Sequence, residues 1–164
     1  MAKKKAQSKA SEAPRSIQNR RARYDYELVE TYEAGIVLVG SEVKSVFLGR
    51  ANLADAYCLI RSGELFLINL DIELYDHASS FQPERRRDRK LLMHGREIAT
   101  LNRKSLEKGF TIIPTRMYFS SKGRVKVEVA LARGKSSYDK RDKIAKDDSR
   151  REIERIKSRK PLDY

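Results

Sequence analysis

An abrupt change of side-chain pattern at Arg133 limits what this chain can fold into. From Arg124 to Ala132, apolar and charged side chains alternate strictly, which is typical of a half-buried β-strand. Residues 133–164 then contain few large aliphatic side chains: Ile144, Ile153, Ile156 and Leu162. This is too little apolar surface to offset the conformational entropy of ordering the segment. We therefore predict a sheet-forming body followed by a tail that is disordered when free.

The tail is nevertheless suited to become a helix on a partner. Acidic residues precede basic residues by four positions in three pairs, each of which stabilises a helix by about 0.2–0.5 kcal/mol. The pairs are Asp139–Lys143, Asp142–Lys146 and Asp147–Arg151. Because the tail is net positive, a large polyanion is the partner against which we expect it to order. A merely solvated tail is the alternative.

The net charge of +13 lies in the two ends of the chain rather than in its middle. Residues 1–24 carry +7, residues 25–132 carry +1 and residues 133–164 carry +5. Basic arms around a nearly neutral body suit nucleic acid, whose phosphates attract them over long distances. We expect a disordered basic arm at 1–18, a folded body at 19–132 and a basic tail at 133–164.

Strand and turn signals predict five or six short antiparallel strands, with a small helix early and a longer helix late. The predicted strands are Tyr24–Tyr32, continuing past a bulge or turn at Gly35, then Ala56–Arg61, Glu64–Leu70, Phe110–Phe119 and Arg124–Ala132. Ser62-Gly63 predicts a hairpin turn, and Pro114 predicts a bulge or an edge position. The first predicted helix is Ser41–Phe47, and the second has Leu91, Leu92, Ile98 and Leu101 on or near one face. Short connections favour closure into a barrel without exposed edges. We expect a mainly β, OB-like closed antiparallel barrel with two or three small helices; a β-sandwich is the alternative.

One fragment of the sequence fits an enzyme, a metal-dependent nuclease. Glu42-Val43-Lys44 has the E-x-K spacing of such enzymes, and Asp25 lies upstream as a second carboxylate. Two carboxylates and a lysine can hold Mg²⁺ and assist attack on a phosphate. This spacing often arises by chance, so a structural pair on a short helix is the alternative. Without a CxxC, HExxH or P-loop motif, we expect no catalytic site, metal or cofactor.

Membrane and secretory signals are also missing from the sequence. No apolar run approaches the roughly 20 residues of a spanning helix, and the first residues lack the apolar segment of a signal peptide. Neither arm has the aromatic and leucine face of an interfacial helix. The single cysteine, Cys58, cannot form an internal disulfide. We expect a cytoplasmic protein with no membrane partner.

Basic and aromatic residues supply the binding signals. The run ERRRDRK at residues 84–90 carries +3, although a solvated helix entrance would look the same. Tyr24 and Tyr26 have the spacing either of base-stacking residues on a strand or of core residues. Tyr138 follows Lys135 in a tail that offers no core to join. For Tyr138 we therefore favour base stacking, which contributes about 1–3 kcal/mol per base.

Several stretches, in chain order, resemble one family of RNA-binding proteins. They are NRRARYDYELVETYEAGIVLVGSEVKS, GRANLADAY, DRKLLMHGREI, RVKVEVALARGK and YDKR, which together span about residues 19–145. This combination resembles small protein B, the SsrA-binding protein family of bacterial trans-translation. The resemblance implies an OB-fold body that binds the tRNA-like domain of tmRNA (SsrA RNA), supports its aminoacylation and performs no catalysis.

The resemblance also implies a ribosomal role. Alanyl-tmRNA would be delivered with elongation factor Tu to ribosomes stalled without a codon in the A site. The tail would become helical in the empty mRNA channel, beside the decoding centre and its small-subunit rRNA. A general single-strand-binding OB module, such as an initiation-factor relative, is the alternative from another class.

Residue roles follow from matching positions. The predicted tmRNA-binding residues are Asn19, Glu33 and Leu92, the basic residues Lys44, Arg89 and Lys90, and Arg20 and Arg23 ahead of the first predicted strand with Tyr24 at its start. The predicted tail residues at the decoding centre are Gly134, Lys135, Tyr138, Asp139, Lys140, Arg141 and Ile156. The chain departs from the family pattern at Tyr138, where histidine is usual, and at Ser136, Ser149 and Asp88.

Overall fold

The computed structural model describes residues 14, 16–78, 82–135, 148–151, 153 and 154. Its elements are β1 (Ile17–Gln18), α1 (Arg20–Asp25), β2 (Tyr26–Ile36), α2 (Gly40–Phe47), β3 (Ala51–Asn52), β4 (Tyr57–Arg61), β5 (Glu64–Ile68), β6 (Asp71–Ile72), β7 (Arg89–Leu92), α3 (Gly95–Ser105), β8 (Phe110–Phe119) and β9 (Val125–Gly134). Residues 148–151, 153 and 154 are also helical. Within this described part, no helix has both the length and the apolar character needed to cross a membrane.

Six antiparallel strands form a closed ring. Their order is β8, β4, β5, β7, β2 and β9, and β9 pairs back onto β8. Strand β1 lies on the other edge of β8, while β3 and β6 form a small separate ladder. Because ring closure gives every ring strand two neighbours, it removes the exposed edges of an open sheet. The predicted mainly β, closed antiparallel fold is confirmed.

The ring encloses a single large apolar core. In β9, the side chains of Val127, Val129 and Leu131 are at most 2 % exposed, as their alternation predicts. Strands β5 and β7 contribute Leu65, Leu67 and Leu91, and the helices contribute Val46, Ile98 and Leu101. Burying one such side chain contributes about 1.5–3 kcal/mol. The inward residues therefore fix the register, which turns the charged residues of the same strands outward.

The first predicted strand corresponds to β2 and begins two residues later than predicted. Tyr24 lies in the short helix α1, and β2 starts at Tyr26. The predicted interruption at Gly35 is wrong, because β2 continues to Ile36 and its register shift lies between Leu28 and Glu30. The segment after Ile36, predicted as further strand, leads into helix α2. The helix α1 was missed because a six-residue segment is too short to show helical periodicity.

The second helix also begins later than predicted. Leu91 and Leu92 belong to strand β7, and α3 starts at Gly95. Leu91 pairs with Leu65 of β5 on one side and with Ile36 of β2 on the other. A backbone held between two strands has its hydrogen bonds satisfied as a strand, so this tertiary context outweighs the helical spacing of the leucines.

Local turn chemistry was predicted more accurately. Ser62 and Gly63 both have positive φ, 51° and 77°, as a tight hairpin turn requires. The register of β8 with β9 shifts between Pro114 and Arg116, which confirms the predicted bulge. Gly109 has φ +89°, a conformation suited to glycine after a helix.

Strands extend past the predicted limits of the body at both ends. Gln18 pairs with Arg116, and Gly134, the first of the predicted tail residues, pairs with Tyr26. The backbone N–H of Lys135 donates to the Asp25 carbonyl (3.0 Å). Its Nζ donates to the Arg23 carbonyl (3.2 Å), so the root of the tail is fastened to α1. The predicted tail residues Tyr138, Asp139, Lys140, Arg141 and Ile156, and the three predicted helical ion pairs, lie wholly or partly outside the described residues.

Candidate nucleic-acid interface

Outward-pointing side chains of three neighbouring strands form a polar surface. Strand pairing places Arg116 of β8 beside Glu128 of β9, and Glu128 beside Glu33 of β2. The next outward row joins Tyr118 to Lys126. We call these five residues the β8–β9–β2 face. Glu33 was predicted as a tmRNA-binding residue, whereas the other four were not singled out for function.

Hydrogen bonds and ion pairs connect the residues of this face. The Tyr118 hydroxyl donates to the Glu33 carboxylate, and Lys126 Nζ lies 3.0 Å from Glu33 Oε1. The Arg116 guanidinium donates to Glu128 Oε2 from Nε (3.0 Å), and its Nη2 lies 2.9 Å from the same oxygen. The same guanidinium lies over the Tyr118 ring, 4.7 Å from its centroid. The side chains of the face are therefore held in fixed orientations before any ligand arrives.

These contacts also set the protonation states of the face. The hydrogen bond from Tyr118, followed by the contact with Lys126, lowers the pKa of Glu33 below its ordinary value. The same bond to Glu33 raises the pKa of Tyr118 above its ordinary value. At neutral pH the carboxylate is thus ionised and can accept hydrogen bonds, while the phenol keeps its proton and donates.

An apolar groove lies at one end of the face. The side chain of Leu92 is 53 % exposed and borders the groove with Leu38 and Val43. Lys126 lines this groove and also contacts Glu33, so the structure brings the predicted residues Glu33 and Leu92 onto one surface. Arg124 lines the same groove. The alternation of residues 124–132 predicts that Lys126 points outward, but nothing in the sequence indicates a function for this lysine.

The other end of the outer surface is covered by α1. Ala22 of α1 packs against Ile113 of β8 and Ala132 of β9 in a small apolar cluster. Arg20, Arg23 and Tyr24 are exposed on this helix. Because Gln18 pairs with Arg116 and Tyr26 pairs with Gly134, α1 runs from beside the β8–β9–β2 face towards the root of the tail. The predicted arginines and Tyr24 therefore extend the same surface.

Asn19 fastens α1 to the barrel. It is 6 % exposed, and its Oδ1 accepts a hydrogen bond from the Ala22 N–H (3.1 Å) as the N-cap of α1. Its Nδ2 donates to the carbonyls of Leu53 (3.0 Å) and Pro114 (2.9 Å). Both amide hydrogens are thus used inside the protein. Asn19 therefore holds α1, and with it the exposed residues of this helix, in place.

The replacement Asn19→Ala is expected to lower the free energy of unfolding by about 1–3 kcal/mol, because it removes a helix cap and leaves buried carbonyls unpaired. It should also weaken RNA binding by releasing α1. Urea unfolding and amide hydrogen exchange at residues 22–26 measure the two effects. Asn52→Ala is the matched control, since Asn52 is exposed and its side chain accepts one bond, from Ala54 (2.9 Å). Unchanged exchange in Asn19→Ala would contradict the anchoring role.

The predicted RNA-binding residue Arg89 lies inside the protein. This side chain is fully buried, and all five of its N–H groups are occupied. Nε and Nη2 donate to Glu42 Oε1 at 3.0 and 2.8 Å. The remaining N–H groups donate to the carbonyls of Leu70, Arg87 and Arg85 at 2.7–3.0 Å. Arg89 is therefore an ion-pair residue of the core; the sequence offers no signal that distinguishes a buried arginine from an exposed one.

The nuclease fragment has a structural role as well. Both oxygens of Glu42 are engaged: Arg87 donates to them from Nε (3.0 Å) and Nη2 (2.6 Å), and the Val39 N–H donates at 2.8 Å. Asp25 lies at the end of a different helix. The described residues contain no group of three or more His, Cys, Asp or Glu side chains that could hold a metal ion. Glu42 joins α2 to the segment before β7 rather than facing a substrate.

The remaining predicted cations are each in contact with another side chain. Lys90, two residues before Leu92 on the same side of β7, pairs with Glu64. Lys44 is exposed on α2, with its Nζ 5.2 Å from the centroid of the Tyr75 ring. Much of the run at residues 84–90 is paired internally, for example Arg85 with Asp71 (2.9 Å). Lys90 therefore lies next to Leu92, whereas Lys44 is directed towards the loop after β6.

Comparison with known proteins identifies relatives of the whole chain. The model of the SmpB protein family matches residues 16–159. The SsrA-binding protein of Symbiobacterium thermophilum is 56 % identical over 150 residues, which cover 92 % of this chain and 94 % of the relative. The SsrA-binding protein of Thermobifida fusca is 50 % identical over 161 residues, covering 98 % and 99 %.

A solved structure is similar in both sequence and fold. It comes from work described as "tmRNA-SmpB: a journey to the center of the bacterial ribosome", and it is 46 % identical to this chain with a TM-score of 0.65. The match covers 76 % of this chain and 87 % of the other. This likeness supports the OB-like character of the six-stranded ring. Because the family model and these relatives cover nearly all of the sequence, the chain belongs to the SmpB protein family.

Proposed function

We propose that this protein binds tmRNA through its tRNA-like domain and brings it to stalled ribosomes for trans-translation. The observation that carries the proposal is one continuous outer surface, on which the arginines of α1, the β8–β9–β2 face and Leu92 lie side by side. Relatives at 50–56 % identity are named SsrA-binding proteins, and the description of the similar solved structure names tmRNA, SmpB and the bacterial ribosome. Binding and delivery need no bond-making step from the protein.

The surface is better suited to recognise the shape of a folded RNA than to read a sequence of bases. An A-form stem hides its base edges in a deep groove and displays ribose hydroxyls and phosphates on its shallow side. Arg20 and Arg23 supply cations for phosphates at the α1 end. Glu33 supplies an ionised acceptor for ribose hydroxyls or base amino groups, and Leu92 supplies an apolar contact. Recognition would then follow the shape of the RNA and its 2′-hydroxyls.

We assign the predicted residues to two roles. Arg20, Arg23, Tyr24, Glu33, Lys90 and Leu92 contact tmRNA directly, together with Lys126. Asn19 and Arg89 act indirectly: Asn19 holds α1 in place, and Arg89 anchors strand β7, which carries Lys90 and Leu92. Lys44, on the far side of α2, contributes through long-range attraction.

The tail acts after delivery in this proposal. From its root at Gly134 and Lys135, the tail with Tyr138, Asp139, Lys140 and Arg141, and Ile156 further along, enters the empty mRNA channel near the decoding centre, and alanyl-tmRNA arrives together with elongation factor Tu. Ordering the tail there couples folding to binding. The contacts of Lys135 with the backbone of α1 set the point and direction from which the tail leaves the body.

Sequencing of RNA that co-purifies with the protein from cells tests the function directly. We expect tmRNA to dominate the bound RNA, and a tRNA-like RNA to compete for the protein better than an unstructured oligonucleotide of equal length. The logarithm of the affinity should fall with the logarithm of salt concentration by about 0.7–0.9 per phosphate contacted. Preference for the unstructured oligonucleotide would instead identify a general single-strand-binding module.

A further inference from the structure

We infer that Arg116 is a base-stacking residue, whose guanidinium rests on the Tyr118 ring and receives an unpaired nucleobase of the bound RNA on its other side. The inference rests on the proposed function and deepens it by naming the group that is recognised. Neither motif matching nor charge patterning singled out Arg116, because it lies in a strand outside the basic arms.

The geometry around Arg116 orients a flat, open cation. The Tyr118 ring supports one side of the guanidinium at 4.7 Å. Glu128 holds two of its nitrogens within 3.0 Å, which limits rotation. The Arg116 side chain is nevertheless 47 % exposed, so the side away from the ring is accessible to a ligand. An oriented guanidinium plane stacks well on π-systems, including nucleobases.

The charges near Arg116 favour a base over a phosphate. Within the β8–β9–β2 face, two cations are balanced by the carboxylates of Glu33 and Glu128, so this part of the surface has no net charge. The arginines of α1 are opposed only by Asp25 within that helix and attract phosphates more strongly. Since the carboxylates also accept hydrogen bonds, they suit the amino and hydroxyl groups that surround a stacked base.

The position of Arg116 fits an RNA that crosses the whole surface. Its strand partner Gln18 directly precedes the N-cap of α1, and Glu128 separates it from Glu33, whose partner Lys126 lines the groove of Leu92. Arg116 therefore lies in one cross-strand row between the start of α1 and Glu33, within reach of an RNA that contacts both. Bases within stems are already stacked, so the ligand is an unpaired base of the folded RNA.

Arg116→Lys separates stacking from charge, because lysine keeps the positive charge and loses the planar group. With a tRNA-like RNA as the probe, we expect binding to weaken by about 5- to 150-fold. The salt dependence should stay unchanged. Arg61→Lys is the matched control, since Arg61 is also exposed and paired with a carboxylate, Asp88 (2.8 Å), but lies on β4.

A second measurement reports on the base itself. 2-Aminopurine placed at each unpaired position of the RNA should be quenched at one position by the unmodified protein and by Arg61→Lys, but not by Arg116→Lys. If Arg116→Lys binds normally, or if no unpaired position is quenched differently by the unmodified protein and by Arg116→Lys, the inference about Arg116 is wrong while the proposed function stands. If the unmodified protein fails to bind the tRNA-like RNA, the proposed function is overturned with it. Thermal unfolding of each variant verifies that it is folded.

Discussion

Removal of every residue after Lys135 is expected to leave tmRNA binding intact and to abolish peptide tagging on stalled ribosomes. The described surface that we assign to tmRNA lies entirely before this point, and Lys135 itself completes the contacts with α1. The missing residues hold most of the positive charge of the tail, which we assign to the mRNA channel. Equilibrium binding to tmRNA and a reconstituted tagging reaction measure the two activities separately.

A chain that ends at Arg133 is the informative comparison. It also loses Gly134, which pairs with Tyr26, and Lys135, whose Nζ and backbone N–H donate hydrogen bonds to the carbonyls of Arg23 and Asp25. We expect this shorter chain to bind tmRNA more weakly than the chain that ends at Lys135, because α1 is less firmly held. Equal loss of RNA binding and of tagging in the chain that ends at Lys135 would contradict the division of roles between body and tail.

Glu42→Gln is expected to produce the largest loss of stability, about 3–5 kcal/mol in the free energy of unfolding, because it leaves the buried guanidinium of Arg89 without its counter-charge. Arg89 is fully buried and Glu42 is 4 % exposed, so water cannot solvate the guanidinium once its counter-charge is removed. Glu64→Gln is the matched control, since the Glu64–Lys90 pair is more than 40 % exposed on both sides and should contribute only about 0–1 kcal/mol. Urea unfolding of the two variants gives the comparison.

Glu42 should also make the stability depend on pH. Burial alone would raise the pKa of Glu42, but the hydrogen bonds from Arg87 and Val39 and the charge of Arg89 outweigh it and lower the pKa below the ordinary value of 4.5. Burial acts in the opposite sense on the partner and lowers the pKa of Arg89, although a guanidinium remains charged. The lowered pKa of Glu42 follows from its surroundings, because its carboxylate accepts hydrogen bonds from five N–H groups.

A lowered pKa in the folded state means that the ionised form stabilises the fold. This stabilisation is fully present well above pH 4.5 and is lost as the pH falls below that value towards the folded-state pKa. Urea unfolding between pH 7 and pH 3 should therefore show a decline that is smaller in Glu42→Gln. An identical decline in both proteins would show that other carboxylates account for it.

Local patterns in the sequence were enough to predict much of the fold. The alternation of residues 124–132 placed Val127 and Val129 inside the ring, and Ser62-Gly63 and Pro114 predicted the hairpin and the bulge. Each of these features depends on the preferences of a few adjacent residues. The predictions were wrong where the local sequence was compatible with both helix and strand, as at Leu91 and Leu92. These residues form a strand because they pair with β2 and β5, which are distant in the chain.

The candidate site could be predicted only in part. Glu33 and Leu92 are exposed on one surface, as expected for residues that contact RNA. Asn19 and Arg89 have the same polar character in the sequence, yet both are buried with their hydrogen bonds satisfied internally. Residue type does not reveal burial, because a polar side chain can enter a core when partners from distant segments meet it there.

The sequence by itself determined the family, the charged arms, the apolar-poor tail and the inward residues of the longest strands, since all of these are properties of composition or of neighbouring residues. Only the tertiary structure decided that Arg116, Glu128 and Glu33 form one face, because ring closure places Glu33 beside Glu128, 95 positions further along the chain, and more than one pairing register was open to the chain. Burial and cross-strand register are consequences of that closure. They determine which of the many polar residues reach the surface that we assign to RNA.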